Sequence, residues 1–429
     1  MVYLRHAATL NMPQFAHHDS NIWKTYEPSP ALGFTLLHPL PAPPLYQQRA
    51  EAARVSHWLQ AHGVQSEWVD VEPLATGWRY HLTTAAWETL TPEFDTLNLV
   101  NRLGDAACTR ELEIAVTLLA SPVELVLPSF DELSAHINAR KNTCAAGENT
   151  TLAFATETAE RPGSHWTYHE DTGFTVLPGA PLIEALTLAT QPATSGEVYS
   201  FSCYRATEYV MLLGLAQTCQ DFNPQLLEQL QAPWQTSAIA SGRFHDTFLT
   251  ELGSLENPIP PRYYIPGDRV WFRNPDEPSS DAVGFEGSWV VYLGQGQFTD
   301  FWRPHSRYTF EGKCLEIYYW REAVVPAANG TDVGIDEHIV WQKMDALLGG
   351  VASARPDALA ERDRILAIMT RYRDGRGIYA NGGCVDATRE HLRWLCPGHA
   401  QIQLPTAVSN RPSASTTAPG ARPASTHPA

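Results

Sequence analysis

The chain has 429 residues and a formal net charge of −17, which sets it against non-specific binding to nucleic acid or to an anionic membrane. Hydrophobic residues make up 44% and charged residues 18%, the balance of a globular chain with enough length for two or three domains. The longest apolar runs, such as Tyr209 to Ala216, are too short to cross a bilayer. Met1 to Ser20 lacks an unbroken apolar stretch, so no secretory signal is expected and the expected location is cytoplasmic. Seven scattered cysteines without a C-x-x-C pair point to free thiols in a reducing compartment, with no metal site and no cofactor.

Residues 1–127 form a first region of unknown role, with a proline-rich stretch at Pro39 to Pro44. Helical periodicity follows over Gln47–His62, Pro92–Leu103 and Glu111–Leu119. In residues 128–325, Asp131–Arg140 predicts a helix, with Ser129 as N-cap and Glu132 three residues on. Thr151–Ala155 is a short strand, and Trp166–Tyr168 with Phe174–Leu177 reads as a hairpin. Pro181–Ala189 and Cys203–Thr218 are helices, the second strongly apolar. Asp268–Phe272, Trp289–Leu293 and Gln297–Trp302 alternate as strands, the last two joined by Gly294-Gln295-Gly296, and Leu315–Trp320 reads as a further strand. Residues 326–400 predict a helical region, with helices at Asp336–Leu348, Asp357–Arg373 and Asp386–Leu395. Residues 401–429, rich in Ser, Thr, Pro and Ala, are expected to be disordered because they cannot bury enough apolar area to offset chain entropy.

The segment Tyr199-Ser200-Phe201-Ser202-Cys203 runs into the apolar helix, which places Cys203 in its first turn. A thiol there feels the positive end of the helix dipole, which favours thiolate. The unpaired N–H groups of the same turn can bind the oxyanion of a tetrahedral intermediate.

Several segments taken in order carry a family resemblance. They are Phe130-Asp131-Glu132-Leu133 with Asn138, Leu152-Ala153-Phe154-Ala155, His165-Trp166 before Thr172-Gly173-Phe174, and Tyr199 to Cys203. Pro266-Gly267-Asp268 through Phe272-Arg273-Asn274-Pro275 continues the series, followed by Gly287 and Val290 to Gly294. Over about 129–303 the chain resembles the protein-glutamine gamma-glutamyltransferase (transglutaminase) of bacterial spore coats, a papain-like or NlpC/P60-like cysteine core. The resemblance implies an α+β fold in which a nucleophile helix packs on an antiparallel sheet, flanked here by an N-terminal α/β region and a C-terminal helical region. It also implies an aminoacyltransferase with Cys203 as nucleophile, a thioester intermediate, a peptide or protein glutamine donor and a primary amine acceptor. The family's glutamate before its cysteine is Ser202 here, its second glutamate is Ser288, and its histidine falls near Phe301.

A relocated base is therefore required if the core is active. Glu286, two residues before Ser288, shares a strand face with the lost carboxylate. His245, in Arg243-Phe244-His245-Asp246, resembles a Trp-His-Tyr segment of the family and titrates near neutral pH. Asp300 falls one residue from the expected histidine and reads as a surface aspartate, and Glu208 reads as structural. The catalytic set expected is Cys203 with Glu286 and His245. Hydrolysis through the same thioester (a deamidase or peptidase), natural-product amide synthesis from a thioester donor, and an inactive binding module stay open beside amine transfer.

Overall fold

The structure is a computed structural model that describes residues 31–104, 108–154, 159–239, 241–327, 332–348, 355–372 and 383–393. Ala155, Cys396 and the Ser/Thr/Pro/Ala-rich segment 401–429 lie outside the described residues. All described residues fall within one compact unit, Pro30–Thr406.

The first part of the chain builds a small sheet. Its elements are β1 (Phe34–Leu37), α1 (Leu45–Ala61), β2 (Val69–Pro73), β3 (Gly77–Leu82), α2 (Thr84–Leu90), α3 (Leu99–Leu103), α4 (Arg110–Leu119) and β4 (Leu125–Leu127). The strand order is β2-β3-β1-β4, with β1 antiparallel to β3 and parallel to β4. The expected helix over Pro92–Leu103 is split into a 3-10 turn, Pro92–Phe94, and α3, because Glu93 and Phe94 take positive φ. The apolar face of α4 is buried, which matches the i, i+3, i+4 spacing of its leucines and valine.

The central part follows as α5 (Phe130–Asn149), β5 (Ala153–Phe154), β6 (Trp166–His169), β7 (Gly173–Val176), α6 (Leu182–Thr190), α7 (Pro192–Ser195), β8 (Ser200–Phe201) and α8 (Cys203–Phe222). It continues with α9 (Pro224–Gln231), α10 (Ser241–Phe248), β9 (Leu249–Leu252), β10 (Arg269–Arg273), α11 (Glu277–Ser280), β11 (Gly287–Gly294), β12 (Gln297–Thr299), β13 (Arg307–Thr309) and α12 (Phe310–Trp320). Helix α8 is buried on nearly every side from Ala206 to Ala216, as its uniform apolarity demands. It crosses α5 where Gly214 meets Thr143, so closely that a Cβ on Gly214 would stand 2.5 Å from Thr143 Oγ1. Ser129 caps α5 by accepting from Glu132 N at 3.1 Å, as its sequence predicts. The buried Arg140 of α5 donates to Asp268 Oδ1 at 2.8 Å, tying the helix to the entry of β10.

The last part comprises β14 (Val324–Pro326), β15 (Val333–Ile335), α13 (Glu337–Leu348), α14 (Pro356–Met369) and β16 (Arg389–Leu392). Two sequence expectations fail here. Leu315–Trp320 lies in α12 and is not a strand; Thr309 caps that helix through Gly312 N. The run Asp386–Leu395 does not form the third helix: residues 389–392 form β16, which enters the main sheet. That sheet has six antiparallel strands in the order β13-β12-β11-β10-β16-β9, so β16 lies between β10 and β9. The hairpin at Gly294-Gln295-Gly296 takes positive φ at all three residues, and the buried Glu113 of α4 accepts from Gln295 N at 2.8 Å. The first region thereby grips the central sheet. Helix α8 packs on β11 of that sheet, giving the α+β arrangement of a long apolar helix on antiparallel strands.

Candidate active site

Strand β8 pairs in parallel with β5, Ala153 opposite Ser200 and Phe154 opposite Phe201, and delivers the chain to α8. Ser202 is the N-cap, its hydroxyl accepting from Arg205 N at 3.3 Å. The residue that replaces the family's glutamate therefore does structural work by starting the helix. Cys203 is the first helical residue and is half-buried. Burial pushes its thiol up, above the ordinary range. The backbone N–H groups of Trp289 and Tyr204 face the sulfur and pull the other way; the Glu286 carboxylate raises the thiol and the Lys313 ammonium lowers it. The sequence argument expected a thiol lowered by the helix dipole, and desolvation outweighs that effect.

Glu286 is exposed and sits immediately before β11, outside the strand, so strand alternation does not place it. Its charge nevertheless acts on the Cys203 thiol. Its carbonyl accepts from Asn274 N at 3.0 Å, which fixes the turn. Ser288 is buried opposite Phe272 in the β10–β11 register. Gly287 has no room for a side chain, since a Cβ there would lie 2.2 Å from Trp271 Nε1. Phe301 is buried in the core, and Asp300 is buried too, binding Arg303 at 2.8 Å and Trp302 N at 3.2 Å. Asp300 is thus a turn-building residue inside the protein and not a surface acid.

His245 lies on α10, with Nε2 3.1 Å from Glu390 Oε1 and Nδ1 3.3 Å from Asp246. The hydrogen bond to Glu390 raises its pKa. The charges acting on the thiol are those of Glu286 and Lys313, whereas those acting on His245 are Glu390, Asp246 and Arg269. The Glu286 charge thus acts on the Cys203 thiol, while His245 belongs to a separate ion-pair network with Glu390.

Sequence reasoning missed that network's centre. Arg269 of β10 and Glu390 of β16 are register partners, with Nε to Oε2 at 2.5 Å. Burial alone would raise Glu390, but Arg269 and His245 together hold it below the usual carboxylate range. Glu208 of α8 is fully buried and binds Arg205 at 2.5 Å, and burial pushes it up to about 7. Glu251 faces Glu390 across β9 and β16, and burial, Glu390 and Asp386 raise it. His245, Glu251 and Glu390 bring ligand atoms within 4.8 Å of one another, a set of the kind that holds a cation. The Arg269 guanidinium already supplies positive charge to that set through Glu390.

Aromatic rings cluster around the residues whose backbone faces Cys203. Trp271 and Trp289 stack at 5.1 Å, Tyr204 meets Trp289 edge-on at 5.2 Å, and Arg273 lies 4.0 Å over Trp271. Trp271, Trp289 and Trp302 are half-buried, while Tyr263, Tyr264, Phe272 and Tyr318-Tyr319-Trp320 belong to the core. Among the described residues no helix is long and apolar enough to cross a membrane.

No curated protein matches the chain. A solved transglutaminase from Geobacillus stearothermophilus, without its C-terminal extension, is 17% identical, with 50% of this chain and 98% of that chain covered and a TM-score of 0.34. Residues 101–305 match the family model of protein-glutamine gamma-glutamyltransferase, a segment just under half of the chain that includes Cys203, His245 and Glu286. With a cysteine at the head of its central helix inside that segment, the chain carries a transglutaminase-like acyltransferase core.

Proposed function

We propose that Cys203 transfers the acyl group of a glutamine side chain to a primary amine, with Glu286 as the base. The observation that carries this reading is the company of the thiol. Two backbone N–H groups face it, and a carboxylate acts on it from the edge of β11. In the first half-reaction the thiol proton passes to Glu286 as Sγ attacks the γ-carbonyl carbon. The amides of Tyr204 and Trp289 receive the oxyanion, and ammonia leaves with the proton returned by Glu286. In the second half-reaction an amine attacks the thioester, Glu286 takes the amine proton, and the thiol regains it as the amide forms. The stacked, half-buried pair Trp271 and Trp289 stands on β10 and β11, where the Trp289 amide faces the thiol, and apolar surface there would limit water and favour aminolysis over hydrolysis.

Incorporation of a fluorescent primary amine into casein, followed together with ammonia release, tests the reading. Cys203→Ala should abolish both. Glu286→Gln should lower the rate by roughly 10²–10⁴-fold, the usual worth of general-base assistance. The same variant should alkylate faster at neutral pH, because a negative charge beside the thiol is gone. Incorporation that survives Cys203→Ala refutes the mechanism and favours a binding module. Full rates in both Glu286→Gln and His245→Ala put the base elsewhere. Ammonia release without incorporation identifies a deamidase. Transfer from a thioester donor alone identifies an amide synthase.

A further inference from the structure

The two amides that face Cys203 come from different elements, Tyr204 from α8 and Trp289 from β11. For both to meet one oxyanion, their separation has to be fixed. The two rings meet edge-on at 5.2 Å, and Arg269 packs against both of them. Its guanidinium is 4.6 Å from the Tyr204 ring centre and 4.5 Å from that of Trp289, and Nη2 reaches the Tyr204 hydroxyl at 3.4 Å. Arg269 is 1% exposed, so its charge needs a partner inside the protein. Glu390 supplies it from directly opposite in the β10–β16 register, at 2.5 Å. Glu390 belongs to a strand beyond residue 305, outside the segment that matches the transglutaminase family.

We propose that Arg269, compensated by Glu390 of β16, is a positioning residue that holds the amides of Tyr204 and Trp289 in one cradle for the acyl oxyanion. This rests on the acyl-transfer reading of Cys203. The cation binds both ring faces at once, and a planar guanidinium fixes their mutual angle better than a flexible ammonium would. The strand that completes the network thus tunes the nucleophile's surroundings without touching substrate.

Two reactions of the same thiol separate this role from a merely structural one. Acylation by p-nitrophenyl acetate passes through a tetrahedral oxyanion: the S–C bond forms, p-nitrophenolate leaves, and the thiol proton goes to the buffer. Alkylation by iodoacetamide displaces iodide at a saturated carbon and forms no oxyanion. A loosened cradle therefore slows the first and spares the second. In the full chain, Arg269→Met should lower the ratio of acylation to alkylation at Cys203 by roughly tenfold to a hundredfold, somewhat less than the loss of a whole oxyanion donor. Arg269→Lys should fall between, and Glu390→Gln, which leaves the buried cation uncompensated, should lower the ratio about tenfold. Peptide mapping assigns both modifications to Cys203, and circular dichroism checks the fold. Should Arg269→Met not fold, the near-isosteric Glu390→Gln decides. An unchanged ratio in the folded variants, with the acylation burst lost in Cys203→Ala, overturns the positioning role alone. A burst that survives Cys203→Ala overturns the acyl-transfer reading and the positioning role with it.

Discussion

Glu208 sets burial against charge within α8, and replacing it with glutamine tests that balance. Its side chain is fully buried, with Oε2 on Arg205 and Oε1 without a hydrogen-bond partner among the described residues. Burial raises its pKa from 4.5 to about 7, opposed by Arg205 and Arg269 and reinforced by Glu390. A carboxyl whose pKa is higher in the folded than in the unfolded state holds its proton more tightly when folded. Its stabilising contribution is complete below the unfolded value and is lost as pH rises through the folded value. A rise of this size corresponds to about 3 kcal/mol lost between pH 4.5 and the region above pH 7. Glu208→Gln keeps the shape and removes the ionisation. It should change stability little near pH 4.5, where Glu208 is protonated, and raise it by up to about 3 kcal/mol at pH 8. Urea unfolding of both proteins at the two pH values measures the difference. A Glu208→Gln protein less stable than the parent at pH 8, or a gap that does not widen with pH, would mean that the arginines outweigh burial and would refute the reasoning.

Asp268→Asn should cost about 3–5 kcal/mol in chemical denaturation, since it leaves the buried Arg140 without its counter-charge. Gly214→Ala should cost about 1–3 kcal/mol, because its Cβ would stand within 2.7 Å of Thr143 backbone atoms and force α5 and α8 apart. Alkylation of Cys203 should keep accelerating as pH passes 9.0, the ordinary thiol value, because burial raises this thiol; a rate that levels off near neutral pH would contradict this. In peptide mapping under native conditions, Cys203 should label ahead of the buried Cys144, Cys219, Cys314 and Cys384.

The apolar helix α8, its N-terminus and the β10–β12 strands were legible because each obeys a local rule. A capping serine precedes an apolar run, or apolar residues alternate between turn glycines. The strand β16 was not legible. Arg389, Glu390 and His391 are all buried, so polarity and burial part company there. Their partners lie on other elements: Glu390 meets Arg269, and Arg389 reaches the Pro260 carbonyl at 3.4 Å. No window of sequence contains both halves of such pairs. The aromatic run of α12 misled for another reason, being buried on most sides and so lacking the polar stripe that distinguishes helix from strand. At the site, Cys203 is marked by its flanking motif, whereas the strand spacing used for Glu286 does not hold, because Glu286 precedes β11. Arg269 could not be found, because a guanidinium packed against two rings from different elements is a feature of tertiary packing alone.

The place of β16 in the sheet has a consequence for how the molecule comes into being. Until residues 389–392 leave the ribosome, β9 and β10 each present a bare edge, and the sheet exists as two unjoined pieces. At ordinary elongation rates, the roughly 120 residues between the end of β10 and the end of β16 take about 6–24 s to synthesise. Throughout that interval the nascent chain already displays Cys203 but lacks Glu390, so Arg269 has no counter-charge. Because the last strand joins the two pieces from within, the core and the surroundings of Cys203 mature together, and only once residue 392 has been made.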